Sequence, residues 1–105
     1  MNQIERVRKY EDLLDKATEV IDKVSEALEL NKMTDELKKE YQDIQKTINE
    51  LSTYYENGEW MEDYNADCDG AFPPCLKRGV LSEDAVYDLL GDNDIIKEQL
   101  VDLID

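Results

Sequence analysis

The chain has 105 residues, a formal net charge of −15 and no histidine; 41% of its residues are hydrophobic and 37% charged. That length predicts a single domain over residues 1–105, with a core able to stand without metal or disulfide staples, and the periodicity described below makes it helical. The charge excludes direct nucleic-acid binding and disfavours an anionic membrane, since both need basic surface, and the missing histidine removes histidine triads and histidine acid–base chemistry.

The charge is uneven. Residues 1–56 carry 14 acids and 9 bases; residues 57–105 carry 13 acids and only 3 bases, Lys77, Arg78 and Lys97. An unknown protein partner of basic character is the expectation this raises, beside the plainer reading of a solvated, solubilising face. No apolar run approaches the length of a membrane span. The start, Met1-Asn2-Gln3-Ile4-Glu5-Arg6, lacks the apolar stretch of a signal peptide. A cytoplasmic protein is expected, with Cys68 and Cys75 as thiols. Two cysteines alone do not close a structural zinc site, and no cofactor is expected.

Residues 3–30 read as one long helix. Val7, Leu14, Ile21 and Leu28 form one heptad column, Tyr10, Ala17 and Val24 a second, and Leu13, Val20 and Ala27 a third. Three columns make a face wide enough for a multi-helix core. They also offer more apolar surface than one hairpin covers, which leaves a homodimer open. Asn31 suits a left-handed helix end, and Thr34 with Asp35 and Glu36 makes a helix start. The second helix, residues 35–56, carries the stripe Leu37, Tyr41, Ile44, Ile48, Leu51, Tyr55. A short link between two such helices predicts an antiparallel hairpin over residues 1–56.

Residues 57–82 are expected to be an irregular, motif-bearing segment. Asn57-Gly58 ends the second helix, and 59–64 make a short helical turn at most. Pro73-Pro74 force extended backbone. Gly79 lets the chain turn, Ser82 caps a helix, and Leu81 and Val86 stand at the two positions of a hydrophobic staple. Two short C-terminal helices fill residues 83–105: Gly91 ends the first, and Asn93 caps the second, over about 94–104, with Ile96, Leu100 and Leu103 on one side. The fold class is therefore all-α: a long antiparallel helical hairpin, with an irregular segment and two shorter C-terminal helices packed on it.

No catalytic constellation stands out, and the protein leans away from being an enzyme. Asn65-x-Asp67-x-Asp69-Gly70 has the spacing of the first half of a calcium loop. The twelfth place, which needs a bidentate carboxylate, is Leu76, so Asp67 and Asp69 remain only weak metal candidates. Trp60, Tyr64, Tyr54 and Tyr87 suit an interface, or Trp60 plugs the open end of the hairpin. Lys77 and Arg78 suit a phosphate or carboxylate ligand, or they pair with Asp63, Glu83 or Asp84. The candidate binding residues are Trp60, Asp63, Lys77, Arg78, Glu83, Asp84 and Tyr87.

Tyr54-Tyr55-Glu56-Asn57-Gly58-Glu59-Trp60-Met61-Glu62-Asp63-Tyr64, followed by Leu76-Lys77-Arg78-Gly79-Val80-Leu81-Ser82-Glu83-Asp84, resembles the family known as domain of unknown function 4298. The likeness covers nearly the whole chain. Asn57 stands where a serine is more usual, and Pro74-Cys75 where polar residues are. The resemblance implies a small, soluble, mostly helical bacterial protein. It implies that Trp60, Asp63, Lys77, Arg78, Gly79, Ser82, Glu83 and Asp84 form one structural unit, and it brings no catalytic residues.

Three functions fit the sequence: a protein–protein interaction module with the second half as its working surface; a nucleic-acid-mimicking inhibitor of a basic-groove protein; and small-ligand or weak cation binding at residues 59–84.

Overall fold

The computed structural model describes residues 2–104, with side chains described through Leu100. Among these residues four helices run α1 (Gln3–Glu29), α2 (Asp35–Glu56), α3 (Glu59–Cys68) and α4 (Ala85–Ile104), with a 3-10 turn at Gly79–Leu81. The fold is all-α, and no strand occurs among the described residues. The molecule measures 48 × 24 × 21 Å, its long axis set by α1, which at 1.5 Å per residue spans about 40 Å.

The hairpin forms because both helices are capped and striped as their residues dictate. Asn2 Oδ1 accepts from Glu5 N at 2.8 Å, and Thr34 Oγ1 accepts from Leu37 N at 3.1 Å. Asn31 takes φ 55°, and behind it Lys32 N donates to Ala27 O at 2.8 Å, which satisfies an otherwise orphaned helix-end carbonyl. From α1, Val7, Leu14, Ala17, Ile21 and Val24 are buried. They meet Tyr41, Ile48, Leu51 and Tyr54 of α2 in one core.

Two expectations fail in the second half. The first concerns residues 59–68, which are a ten-residue helix rather than a short turn in an irregular segment. The Asn57 side chain arranges the joint: its Oδ1 accepts from Glu59 N at 2.9 Å while Gly58 takes φ 95°. α3 closes at Gly70, φ 76°, where Ala71 N donates to Ala66 O at 3.0 Å. The stretch from Asp69 to Arg78 is non-helical, and buried Phe72 and Leu76 pin it to the core.

The second concerns the C-terminus, where one 20-residue helix replaces the two short helices. Gly91 does not end it, and Asn93 does not cap a new one. Asn93 is 3% exposed and exchanges two hydrogen bonds with Gln45 of α2, at 3.1 and 3.0 Å. Its backbone carbonyl also accepts from the Tyr41 hydroxyl at 3.3 Å. Asn93 thus stands among the apolar contacts of α4 with α2, and its polar atoms are satisfied there. Ser82 closes the 3-10 turn, donating its N–H to Gly79 O, and Asp84 immediately precedes α4. The two staple residues, Leu81 and Val86, are both buried as expected. Leu103, assigned to the apolar side of the last helix, lies beyond the described side chains.

Candidate functional site

The densest polar cluster joins the start of α1 to α3. Asp63 is fully buried, on the face of α3 that meets α1 and α2. Arg6 closes on it as a fork: Nε donates to Oδ2 at 2.9 Å and Nη2 to Oδ1 at 2.7 Å. Tyr54 OH donates to Oδ2 at 2.6 Å, and Gln3 Nε2 to Oδ1 at 3.2 Å. Glu59 and Glu62 take further contacts to the guanidinium at 3.0 and 3.2 Å. The hydrogen bond to Asp63 pushes the Arg6 pKa up. Burial and the same carboxylate push the Tyr54 hydroxyl well above the ordinary phenol range. Tyr10 stacks on Tyr54 at 3.8 Å between ring centres. Each Asp63 oxygen therefore accepts two bonds from this chain, and no face of the carboxylate reaches solvent. The cluster is built to hold helices together.

A second tie grips the backbone of Val80 from both sides. Trp60 Nε1 donates to Val80 O at 2.8 Å, and Val80 N donates to Glu11 Oε2 at 2.7 Å. Trp60 itself is 6% exposed and packs between Tyr55 and Tyr64. Gly79 passes close to this carboxylate: a Cβ at that position would lie 3.0 Å from Glu11 Oε1, so the Glu11 side chain would have to shift. Its backbone is not in the left-handed region, unlike Gly58 and Gly70.

The remaining candidates separate into bound and exposed groups. Arg78 pairs with Asp67 at 2.8 Å rather than with Asp63, Glu83 or Asp84. Glu83 accepts from Tyr64 OH at 2.9 Å, a bond that raises the Tyr64 hydroxyl to about 12. Lys77 makes no ion pair among the described residues; it lies at a hollow of about 310 Å³ with Arg8, Glu11, Asp12 and Asp15. Tyr87 is 66% exposed, and Asp84, three residues before it, is exposed too. Trp60 and Asp63 are thus interior ties, while Lys77, Asp84 and Tyr87 face out, so the seven candidates do not converge on one pocket. Asn65 and Asp67 belong to a helix rather than a calcium-type loop, and Asp67 is engaged with Arg78. No group of three possible metal ligands comes together among the described residues. Cys68 and Cys75 are exposed thiols.

The profile of the family described as Domain of unknown function (DUF4298) matches residues 5–103. The chain belongs to this family. No curated protein and no solved structure matches the DUF4298 chain. No helix among its described residues is long and apolar enough to cross a membrane.

Sequence reasoning about this DUF4298 chain missed Gln3, Arg6 and Glu11. A signal for two of them was present. Extending the heptad columns back by seven from Tyr10 and Leu13 arrives at Gln3 and Arg6. Polar residues at positions owed to the core announce a buried polar partner. Glu11 carried no such mark, because its partner is a backbone N–H of a segment 69 residues away.

Proposed function

We propose that this chain is a protein–protein interaction module that presents an acidic surface to a basic protein partner. The supporting observation is how the acids divide. Asp63 and Asp67 are answered inside the fold by Arg6 and Arg78. Asp84, Asp88, Asp92, Asp94 and Glu98 are all exposed and have no ion-pair partner among the described residues. Unanswered charge along one helix raises the encounter rate with an oppositely charged surface. Exposed Cys68 and Cys75 thiols fit a reducing, cytoplasmic setting. Ligand binding at 59–84 has less support, because Asp63, Asp67 and Arg78 are engaged with their neighbours.

Nucleic-acid mimicry is the second reading, favoured by the run of carboxylates along α4. It differs in its partner, a protein whose groove otherwise holds DNA or RNA.

Capture experiments with wild type and with Asp88→Asn/Asp92→Asn/Asp94→Asn/Glu98→Gln test the interaction reading. A partner retained by wild type, released by raised salt and absent with the neutralised variant is the expected result. Identical partner sets for both proteins contradict it. Displacement of that partner by duplex DNA selects mimicry.

A further inference from the structure

The outer side of α4 carries more than charge. Tyr87, Gly91 and Ile95 follow one another in steps of four, so they stack along one line of the helix. That line lies opposite the buried Val86, Leu89, Ile96 and Leu100. Tyr87 is 66% and Ile95 57% exposed, two of the four large hydrophobic residues the described chain leaves in solvent. Beside Ile95, a groove of about 320 Å³ opens between α4 and the end of α1, with Leu28, Glu29, Asp92 and Ile96 in its walls.

Gly91 has no explanation within the fold. Its backbone is helical, and a Cβ built there meets nothing within 4 Å. Glycine inside a helix is destabilising relative to alanine. A bare position between two exposed apolar side chains lets another backbone approach closely.

Asp84, Asp88, Asp94 and Glu98 flank the line. The one base in the described part of α4, Lys97, lies about 120° around the helix from Gly91. A second copy meeting it through the same face would bring carboxylates against carboxylates. The complementary occupant has an apolar stripe bordered by lysine or arginine.

We propose that the Tyr87–Gly91–Ile95 line and the adjoining Leu28–Ile95–Ile96 groove are a docking site for a basic amphipathic helix of a partner protein, which crosses α4 at Gly91. This deepens the interaction reading above and rests on it. The partner's apolar residues lie against Tyr87 and in the groove, and its basic flanks meet Asp88, Asp92 and Glu29.

The test uses the full chain and two labelled synthetic peptides of about 18 residues, or five helical turns. Both contain only leucine and lysine in equal proportion. One arranges its leucines at i, i+3, i+4 and i+7; the other scrambles them. Fluorescence anisotropy is read for wild type, Gly91→Gln and Tyr87→Ser/Ile95→Ser. All three altered positions are exposed, so the fold is retained, and circular dichroism checks it. The amphipathic peptide is expected to bind wild type at least about tenfold more tightly than the scrambled one, and each variant to lose about tenfold. Equal binding of both peptides, or unchanged binding by both variants, overturns the docking site but leaves the acidic-surface reading standing. No binding of either peptide overturns both. A wild-type dimer in sedimentation that Gly91→Gln dissociates assigns the face to a second copy and overturns the proposal.

Discussion

Arg6 in the first turn of α1 and Asp63 in α3, 57 residues apart, form a two-pronged ion pair at 2.9 and 2.7 Å around a carboxylate with no solvent exposure. The pair fixes α3 against the hairpin, and Tyr54 completes it from α2. A buried pair is not by itself strongly stabilising, because desolvation offsets much of the attraction, but breaking one half is costly. Arg6→Ala is expected to destabilise by about 3–5 kcal/mol, lowering Tm by more than about 10 °C. Replacing both partners, Arg6→Met with Asp63→Leu, costs less than the two single losses summed, although the buried Tyr54 hydroxyl loses its acceptor. Thermal denaturation of Arg6→Met, Asp63→Leu and the double variant measures the coupling directly; additive losses would contradict it.

The Val80 backbone gives a second prediction. Trp60→Phe keeps an aromatic ring, smaller than the indole, and removes the donor to Val80 O; Glu11→Ala removes the acceptor from Val80 N. Each substitution leaves a buried backbone group without its partner, at a cost of about 1–3 kcal/mol. Denaturant titration checks this. Trp60 fluorescence in Glu11→Ala should stay close to wild type, since the ring keeps Tyr55 and Tyr64 as neighbours.

α4 supplies a third. Gly91→Ala adds a methyl group that meets nothing within 4 Å, in a helix interior where alanine is favoured by about 1 kcal/mol. Tm should rise by about 4–8 °C. Asn93→Ala should lower stability, because it removes both amide bonds to Gln45.

These positions mark what was legible in the sequence. The hairpin was readable because its caps and stripes are local: Asn31, Thr34 and the columns through Val7 and Tyr41 need no distant partner. α3 was not readable beyond Tyr64, because its buried face includes Asp63, which reads as surface until Arg6 is brought to it. Gly91 and Asn93 look like helix punctuation, and α4 runs through both since Val86, Leu89, Ile96 and Leu100 keep one side buried. Of the basic pair, Arg78 answered an acid of α3 and Lys77 did not. The turn at Gly79 and the staple of Leu81 and Val86 were legible; the two grips on the Val80 backbone, from Trp60 and Glu11, were not.

The tyrosines set a fourth prediction, an alkaline limit. Burial raises Tyr41 to about 12, the bond to Glu83 raises Tyr64 to about 12, and Tyr54 is raised further. An unfolded tyrosine titrates near pH 10, roughly. Above that pH the unfolded chain has lost protons that the native chain still holds, so stability falls as pH rises. Below about pH 10 this contribution is fully present. Unfolding free energy should decline from about pH 10 upward, and less steeply in Tyr54→Phe than in wild type. An equal slope in the two proteins would contradict the buried Tyr54–Asp63 bond.

The most direct test of the central claim, that the residues of the long motif hold the fold while the outer face of α4 meets the partner, is amide chemical-shift mapping of labelled protein titrated with a basic amphipathic peptide. The predicted shifts centre on Tyr87, Gly91 and Ile95 and extend to Leu28, leaving Trp60 and Asp63 in place. Shifts centred on residues 59–69 of α3 and its C-terminal end, with α4 unmoved, would contradict it.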